Sequence, residues 1–261
     1  MMNAKLSTLV CVIACLILVG LIAPQQISAA IDPEIIVGVW TFDEGKGDVG
    51  KDASENKNDG QITGAAWDKG KFGGALSFGK GDTITIPVGK GTVKDKISLL
   101  LWLQFVDLGG QQNYFSIWDQ SNNRFVPYKT DANELRCWSN TWNVGSGFIV
   151  KAKTWYHVAN VFDGKTATIY VDGEEKVSQG VPAFQLLDQD QTAWLATDKG
   201  TGFLSAVVID DVGLFNDAVT EEDVKNAMKQ GIHTTTFPVE PLGKLPILWG
   251  DIKNQPYTNS P

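Results

Sequence analysis

Carboxylates are the residues to weigh first, since two of them about 5–5.5 Å apart cleave glycosidic bonds through a covalent intermediate. On a strand such a pair comes from alternating acids that point to one face. Asp43-Glu44 and Asp210-Asp211 are adjacent instead, so their members are expected on opposite faces. Glu221-Glu222-Asp223 comes closest, but it belongs to a solvated helix start. Two histidines are present, His157 and His233, and no Gly-x-Ser-x-Gly elbow accompanies them. His157 falls in an apolar strand pattern, where a histidine is a hydrogen-bonded core group. No catalytic residue is assigned, and an acid pair assembled across strands is the enzymatic alternative.

Aromatic side chains set among polar ones suggest different chemistry. Sugar binders stack flat rings on pyranoses and orient polar groups around them. Trp138 and Trp142 lie in Arg-Cys-Trp-Ser-Asn-Thr-Trp-Asn (136–143), expected as a loop or sheet edge. Trp118 with Asp119, Asn122 and Arg124 makes a second cluster. Trp142, Trp138, Trp118 and Arg124 are therefore the candidate ligand contacts. With nine tryptophans in the chain, most belong in the core, and Trp40, Trp102 and Trp155 are assigned there.

Such residues need a frame, and the stretch Thr154 to Gly173 supplies its centre. Trp155, His157, Ala159 and Val161 share one parity and Tyr156, Val158 and Phe162 the other, so both faces are apolar, as in a strand buried between layers. Asp163-Gly164 turns the chain, Ala167, Ile169 and Val171 continue it, and Asp172-Gly173 turns it again, which makes a β-meander. Trp-Tyr-His-Val-Ala and Ile-Tyr-Val-Asp-Gly here resemble the central signature of laminin-G-like, concanavalin A-like jelly-roll modules. Val39 to Gly45, Gly73 to Phe78 and Val208 to Phe215 match in the right order, so the resemblance spans about Ile35 to Gly231. It implies an all-β fold, a two-sheet antiparallel jelly-roll β-sandwich with one short C-terminal helix.

The resemblance also implies a metal. Many such modules hold a structural Ca2+, which accepts six to eight oxygens from separate loops. Asp210 matches the acidic position of the Ile-Asp-Asp-Val strand and Asp43 the acid after the first strand. Asp52 and Asn58 of the loop Gly45–Gly60 are expected to complete the shell. The competing reading has Asp52 and Asn58 in Asx turns and Asp210 capping backbone amides. Related hydrolases carry Glu-x-Asp-x-x-Glu on one strand, and no strand here does.

The remaining elements follow from period-two patterning. Ile35–Phe42 reads as the first strand, Gln61–Phe78 as two short strands, and Ile97–Val106 as a buried strand too short to span a bilayer. Tyr114–Trp118, Arg124–Lys129, Glu134–Trp138 and Gly147–Val150 follow, then Glu175–Gln179, Thr192–Thr197 and Ala206–Phe215. Thr220-Glu-Glu-Asp223 is close to a capping box, Val224, Ala227 and Met228 form an apolar stripe, and Gly231 ends the helix.

Residues 1–30 read as a signal peptide, 31–233 as the sandwich and 234–261 as a Pro-rich tail whose Trp249 packs back or docks elsewhere. Retention as an anchor and acylation at Cys15 are the alternatives for the first segment. Cys137 is then left alone as a packed side chain. A net charge of −8 argues against nucleic acid, and 43% hydrophobic residues suffice for a core. The chain reads as a secreted or cell-envelope module without catalytic activity and without a membrane span when mature. Its expected partner is a glycan or an extracellular protein; a structural envelope role is the further alternative.

Overall fold

Short segments of alternating apolar and polar residues, separated by Gly and Asn turns, form antiparallel strands throughout residues 31–237, the part described by a computed structural model. In chain order the first seven are β1 (Ile36–Trp40), β2 (Val49–Gly50), β3 (Gly60–Thr63), β4 (Ala66–Lys69), β5 (Gly74–Phe78), β6 (Thr83–Lys90) and β7 (Ile97–Phe105). Next come β8 (Gln112–Asn113), β9 (Phe115–Asp119), β10 (Arg124–Lys129), β11 (Glu134–Ser139), β12 (Asn143–Ile149) and β13 (Trp155–Phe162). The last are β14 (Thr166–Val171), β15 (Glu174–Gly180), β16 (Asp190–Leu195) and β17 (Val207–Phe215), then helices α1 (Glu221–Gln230) and α2 (Ile232–Thr236). The expected leader 1–30 lies outside the described residues, as does the tail with Trp249 from 238 onward.

Two sheets face each other. The first runs β15-β14-β13-β7-β17-β5-β4 with β1 beside β17, and the second runs β12-β11-β10-β9-β16-β6-β3-β2 with β8 beside β10. This is the expected jelly-roll sandwich. Leu99, Leu101 and Leu103 of β7 and Val158 of β13 meet Phe115, Ile117, Phe125 and Leu135 from the second sheet in one core. The opposite face of β7, β13 and β17 is also covered: Leu100, Ala159, Val161 and Phe215 pack against Val224 and Ala227 of α1 and Ile232 of α2. Burial on both sides explains why these strands carry apolar residues at both parities. The Thr220–Asp223 capping box is formed in both directions, at 3.1 and 2.8 Å, and the helix clips the outer face as its stripe implied.

Four details differ from expectation. Three strands rather than two lie between Gly60 and Phe78. A second, five-residue helix carries the described fold past residue 233. Trp155, at the exposed start of β13, is half-buried rather than core. The strand expected at 147–150 begins at Asn143, because Ser139 N–H donates to the Trp142 carbonyl at 2.9 Å and closes a tight β11–β12 turn. Gly145 and Gly147 hid this strand, and they are tolerated because β12 is an edge strand.

Candidate ligand-binding site

Register places the candidate residues. Trp118 of β9 lies opposite Arg124 of β10, Val126 opposite Trp138 of β11, and Trp138 opposite Asn143 of β12. Their neighbours Ile117, Phe125 and Cys137 point into the core, so this set points outward, on the solvent face of the second sheet. The guanidinium of Arg124 lies 4.2 Å from the Trp118 ring and 4.1 Å from the Trp138 ring, stacked between two indoles. Arg124 and Trp138 line a cleft of about 250 Å³ together with Gln111, Tyr128, Asn143 and Asp198. Phe203, 52% exposed, lines it too.

Hydrogen bonds hold these walls in place. Trp118 Nε1 donates to Asp198 Oδ1 at 2.8 Å. Burial raises the Asp198 carboxyl above its usual value, opposed by that indole and by the charges of Arg124 and Lys199. Asn143 Nδ2 donates to the Tyr128 hydroxyl at 2.9 Å, and Arg136 Nε donates to Asn143 Oδ1 at 3.0 Å. Lys129, fully buried, donates through Nζ to the carbonyls of Leu108 and Gly110 and to Asn133 Oδ1, which fixes the loop carrying Gln111.

Three of the four expected ligand contacts, Trp118, Arg124 and Trp138, thus come together. Trp142 does not. It is 7% exposed and packs in the core with its ring centroid 5.5 Å from Phe162 and 6.3 Å from Phe184. The early start of β12 puts Trp142 on the parity of Val144, which faces inward. Asp119 and Asn122, grouped with Trp118 in the sequence, also leave the site. Asp119 is buried and organises a turn by accepting from the amides of Ser121, Asn123 and Leu187, while Asn122 Oδ1 accepts from Lys199 Nζ.

The four expected calcium ligands do not form one oxygen shell. Asp52 Oδ1 accepts from the amides of Val39 and Ser54, and Oδ2 from the Ser54 hydroxyl and the Asn58 amide, all at 2.8–2.9 Å. Those four bonds use up its acceptor capacity. Asn58 Nδ2 donates to the Val37 carbonyl at 2.8 Å, and its own carbonyl accepts from Trp40 Nε1 at 3.0 Å. Both residues pin the 45–60 loop to β1; Asp52 does so within an Asx turn to Ser54, whereas the Asn58 side chain bonds β1 directly.

Asp43 and Asp210 lie elsewhere, on either side of the Lys69–Gly74 turn. Asp210 Oδ2 accepts from the amides of Lys71 and Phe72, and Asp43 Oδ1 from Gly74. Among the described residues no group of three or more His, Cys, Asp or Glu is placed to hold a metal. Asp52 and Asn58 are thus separated from Asp43 and Asp210, and of the four only Asp210 keeps a buried oxygen, Oδ1, with no hydrogen-bond partner.

Asp210 and Asp211 are both buried, as residues on either face of a strand covered on both sides would be, and a bulge between Asp210 and Gly213 gives Asp211 a φ of 58°. Burial pushes Asp210 up to about 7 and Asp211 up to about 6, with the Asp43 charge adding to each. Asp43 and Asp211 line a shallow depression of about 520 Å³ beside His233. Asp211 Oδ2 is held by the Ile232 amide. His157 is 2% exposed against Trp102, and burial lowers it to about 3, so it is a neutral core group, but its buried Nδ1 lacks the hydrogen-bond partner expected of it.

Sequence reasoning missed Asp198, Gln111 and Tyr128. Asp198 arrives from a loop 80 residues after Trp118, and no local pattern announces that meeting. Tyr128 had a signal: it shares the parity of Arg124 within one strand.

The family model described as the concanavalin A-like lectin/glucanases superfamily matches residues 78–225. No curated protein matches the chain. Among solved structures, domain 4 of AbnA, an extracellular arabinanase from Geobacillus stearothermophilus solved with arabinotriose, superposes with a TM-score of 0.63 at 20% identity, covering 75% of this chain and 98% of that one. The binding domain of Paraclostridial Mosquitocidal Protein 1 gives 0.59 at 13% identity over 75% of this chain and 52% of that one. A Trypanosoma rangeli sialidase gives 0.56 at 13% identity over 77% of this chain, which spans 33% of the sialidase. At these identities the likeness concerns the fold.

Proposed function

The chain belongs to the concanavalin A-like lectin/glucanases superfamily, and we propose that it is a non-catalytic carbohydrate-recognition module of the cell exterior. The observation that carries the reading is a cleft on the outer sheet face lined by Trp138, Arg124 and Phe203, with the Arg124 guanidinium held against the rings of Trp138 and the buried Trp118. Aromatic surface there offers a platform for a sugar ring, and Gln111, Tyr128 and Asn143 offer groups for its hydroxyls. The likeness to an arabinanase domain solved with arabinotriose supports the same class of ligand. Among the described lining residues the cleft holds one carboxylate, Asp198, already bonded to an indole, whereas glycoside hydrolysis uses two. An extracellular place rests on the expected leader. Among the described residues no helix is long and apolar enough to cross a membrane.

A hydrolytic reading keeps one observation in its favour, the depression lined by Asp43, Asp211 and His233. One experiment separates the two. The chain is run through polysaccharide gels, with reducing ends assayed in the same samples. Retardation without new reducing ends, lost in Trp138→Ala, supports the module. Release of reducing ends that survives Trp138→Ala and disappears in Asp211→Asn refutes it.

A further inference from the structure

The geometry points to a carboxylated glycan as the ligand of this cleft, with the carboxylate taken by Arg124; this rests on the carbohydrate reading and specifies its ligand. The chain has two arginines. Arg136 uses its guanidinium on Glu134, at 3.0 Å. No ion pair of Arg124 exists among the described residues, and its Nε is closed off from solvent with no hydrogen-bond partner. An unpaired guanidinium ordinarily stays in bulk water, since desolvating a lone charge is costly.

Here two indoles at 4.2 and 4.1 Å cover the guanidinium and Nε is closed off, which leaves the Nη1–Nη2 end for the cleft that Arg124 lines. That edge presents N–H donors in a fork whose spacing matches the two oxygens of a carboxylate. Removal of water from the faces also strengthens attraction to an incoming anion.

The surrounding charges agree. The chain as a whole is at −8, yet Lys199 adds a second cation, with Nζ 4.7 Å from the Trp118 ring. Asp198 is the one acid among the described lining residues, and its Oδ1 is turned to Trp118 Nε1 rather than to Arg124. Gln111, Asn113 and Asn143 are uncharged, so they add no negative charge to the lining. A neutral pentose or hexose would use the platform and the amides but leave the guanidinium edge unmatched. A uronic or sialic acid residue would use both.

Calorimetry of the whole chain against matched pairs tests this: trigalacturonate against its methyl ester, sialyllactose against lactose, and lactose sulfate as a non-planar anion. The expected result is at least tenfold tighter binding of one carboxylated member than of its neutral partner, and the pair that responds tells uronate from sialate. Arg124→Gln should erase that preference, with near-UV circular dichroism checking that the indoles keep their places. The methyl ester makes the same test with the protein unchanged. Equal binding of neutral and acidic members, with Trp138→Ala still abolishing both, overturns the carboxylate inference and leaves carbohydrate recognition standing. Lactose sulfate binding as tightly as sialyllactose also overturns it, since a point charge would then suffice. No binding of any probe in wild type or variant refutes both.

Discussion

Trp138 and Trp142 stand four residues apart in one polar stretch and should behave as opposites when truncated. Trp142 is 7% exposed, with Phe125, Phe162 and Phe184 around it at centroid distances of 5.5–6.3 Å. Trp142→Ala opens a cavity among rings that cannot all collapse into it, which costs about 3–5 kcal/mol. For a domain of this size that lowers Tm by roughly 6–20 °C. Trp138 is only half-buried and stacks on Arg124 at 4.1 Å, so Trp138→Ala leaves the core filled and should cost less than about 1 kcal/mol in stability. Its loss appears in binding instead. A central aromatic contact is worth about 2 kcal/mol, or roughly a 30-fold rise in Kd. Differential scanning calorimetry and glycan titration on the two variants measure both quantities. A Trp142→Ala protein that melts like wild type and fails to bind would refute the placement of β12 and everything built on its register.

Three further outcomes follow from the buried polar groups. Asp210 and Asp211, raised by burial to about 7 and about 6 from 3.8, favour their protonated forms in the folded state. Their contribution to stability is complete below about pH 4 and is lost as pH rises through 6–7, so Tm should climb as pH falls from 8 to 5 and Asp210→Asn should flatten that slope; a wild-type Tm that falls over this range contradicts the assignment. Asp52→Ala leaves the buried Val39 amide unpaired and frees the 45–60 loop, at a cost of about 3 kcal/mol, while calcium or a chelator leaves the wild-type Tm in place. A chelator-dependent drop in Tm would contradict the loop-pinning role. Lys129→Met strands the Leu108 and Gly110 carbonyls, so stability should drop by about 3 kcal/mol and proteolysis should open the 107–111 loop; an unchanged digestion pattern would count against that anchor.

Much of this architecture was legible because burial on two faces leaves an imprint at both parities. The Trp155–Phe162 and Ile97–Phe105 strands are read that way, and the capping residues Thr220 and Asp223 announced α1. The site was legible in part. Trp118 and Arg124 flank a short Asn-rich turn, so a hairpin register places them opposite each other without further information. Trp142 was expected on a loop or sheet edge because its neighbours are polar; Asn140-Thr141 makes a two-residue turn and the glycines after it disguise a strand whose inward parity Trp142 shares. Asp52 and Asn58 have the composition of metal ligands, and only their hydrogen bonds to Val39 and Val37 reveal that backbone amides and carbonyls already occupy them. The Asp210–Gly213 bulge also lies beyond a period-two reading, since an extra residue with positive φ leaves no mark in the alternation of residue types.

Glycan contact at the indole–guanidinium stack of the outer sheet, as proposed above, can be seen residue by residue. The direct measurement is the indole N–H resonances of 15N-labelled protein during titration with trigalacturonate, sialyllactose and arabinotriose. The Trp118 and Trp138 signals should move with at least one of these sugars, saturably, while those of Trp40, Trp102 and Trp142 stay within line width. Movement confined to core indoles, or no movement at Trp118 and Trp138 under a sugar that calorimetry shows to bind, would contradict it.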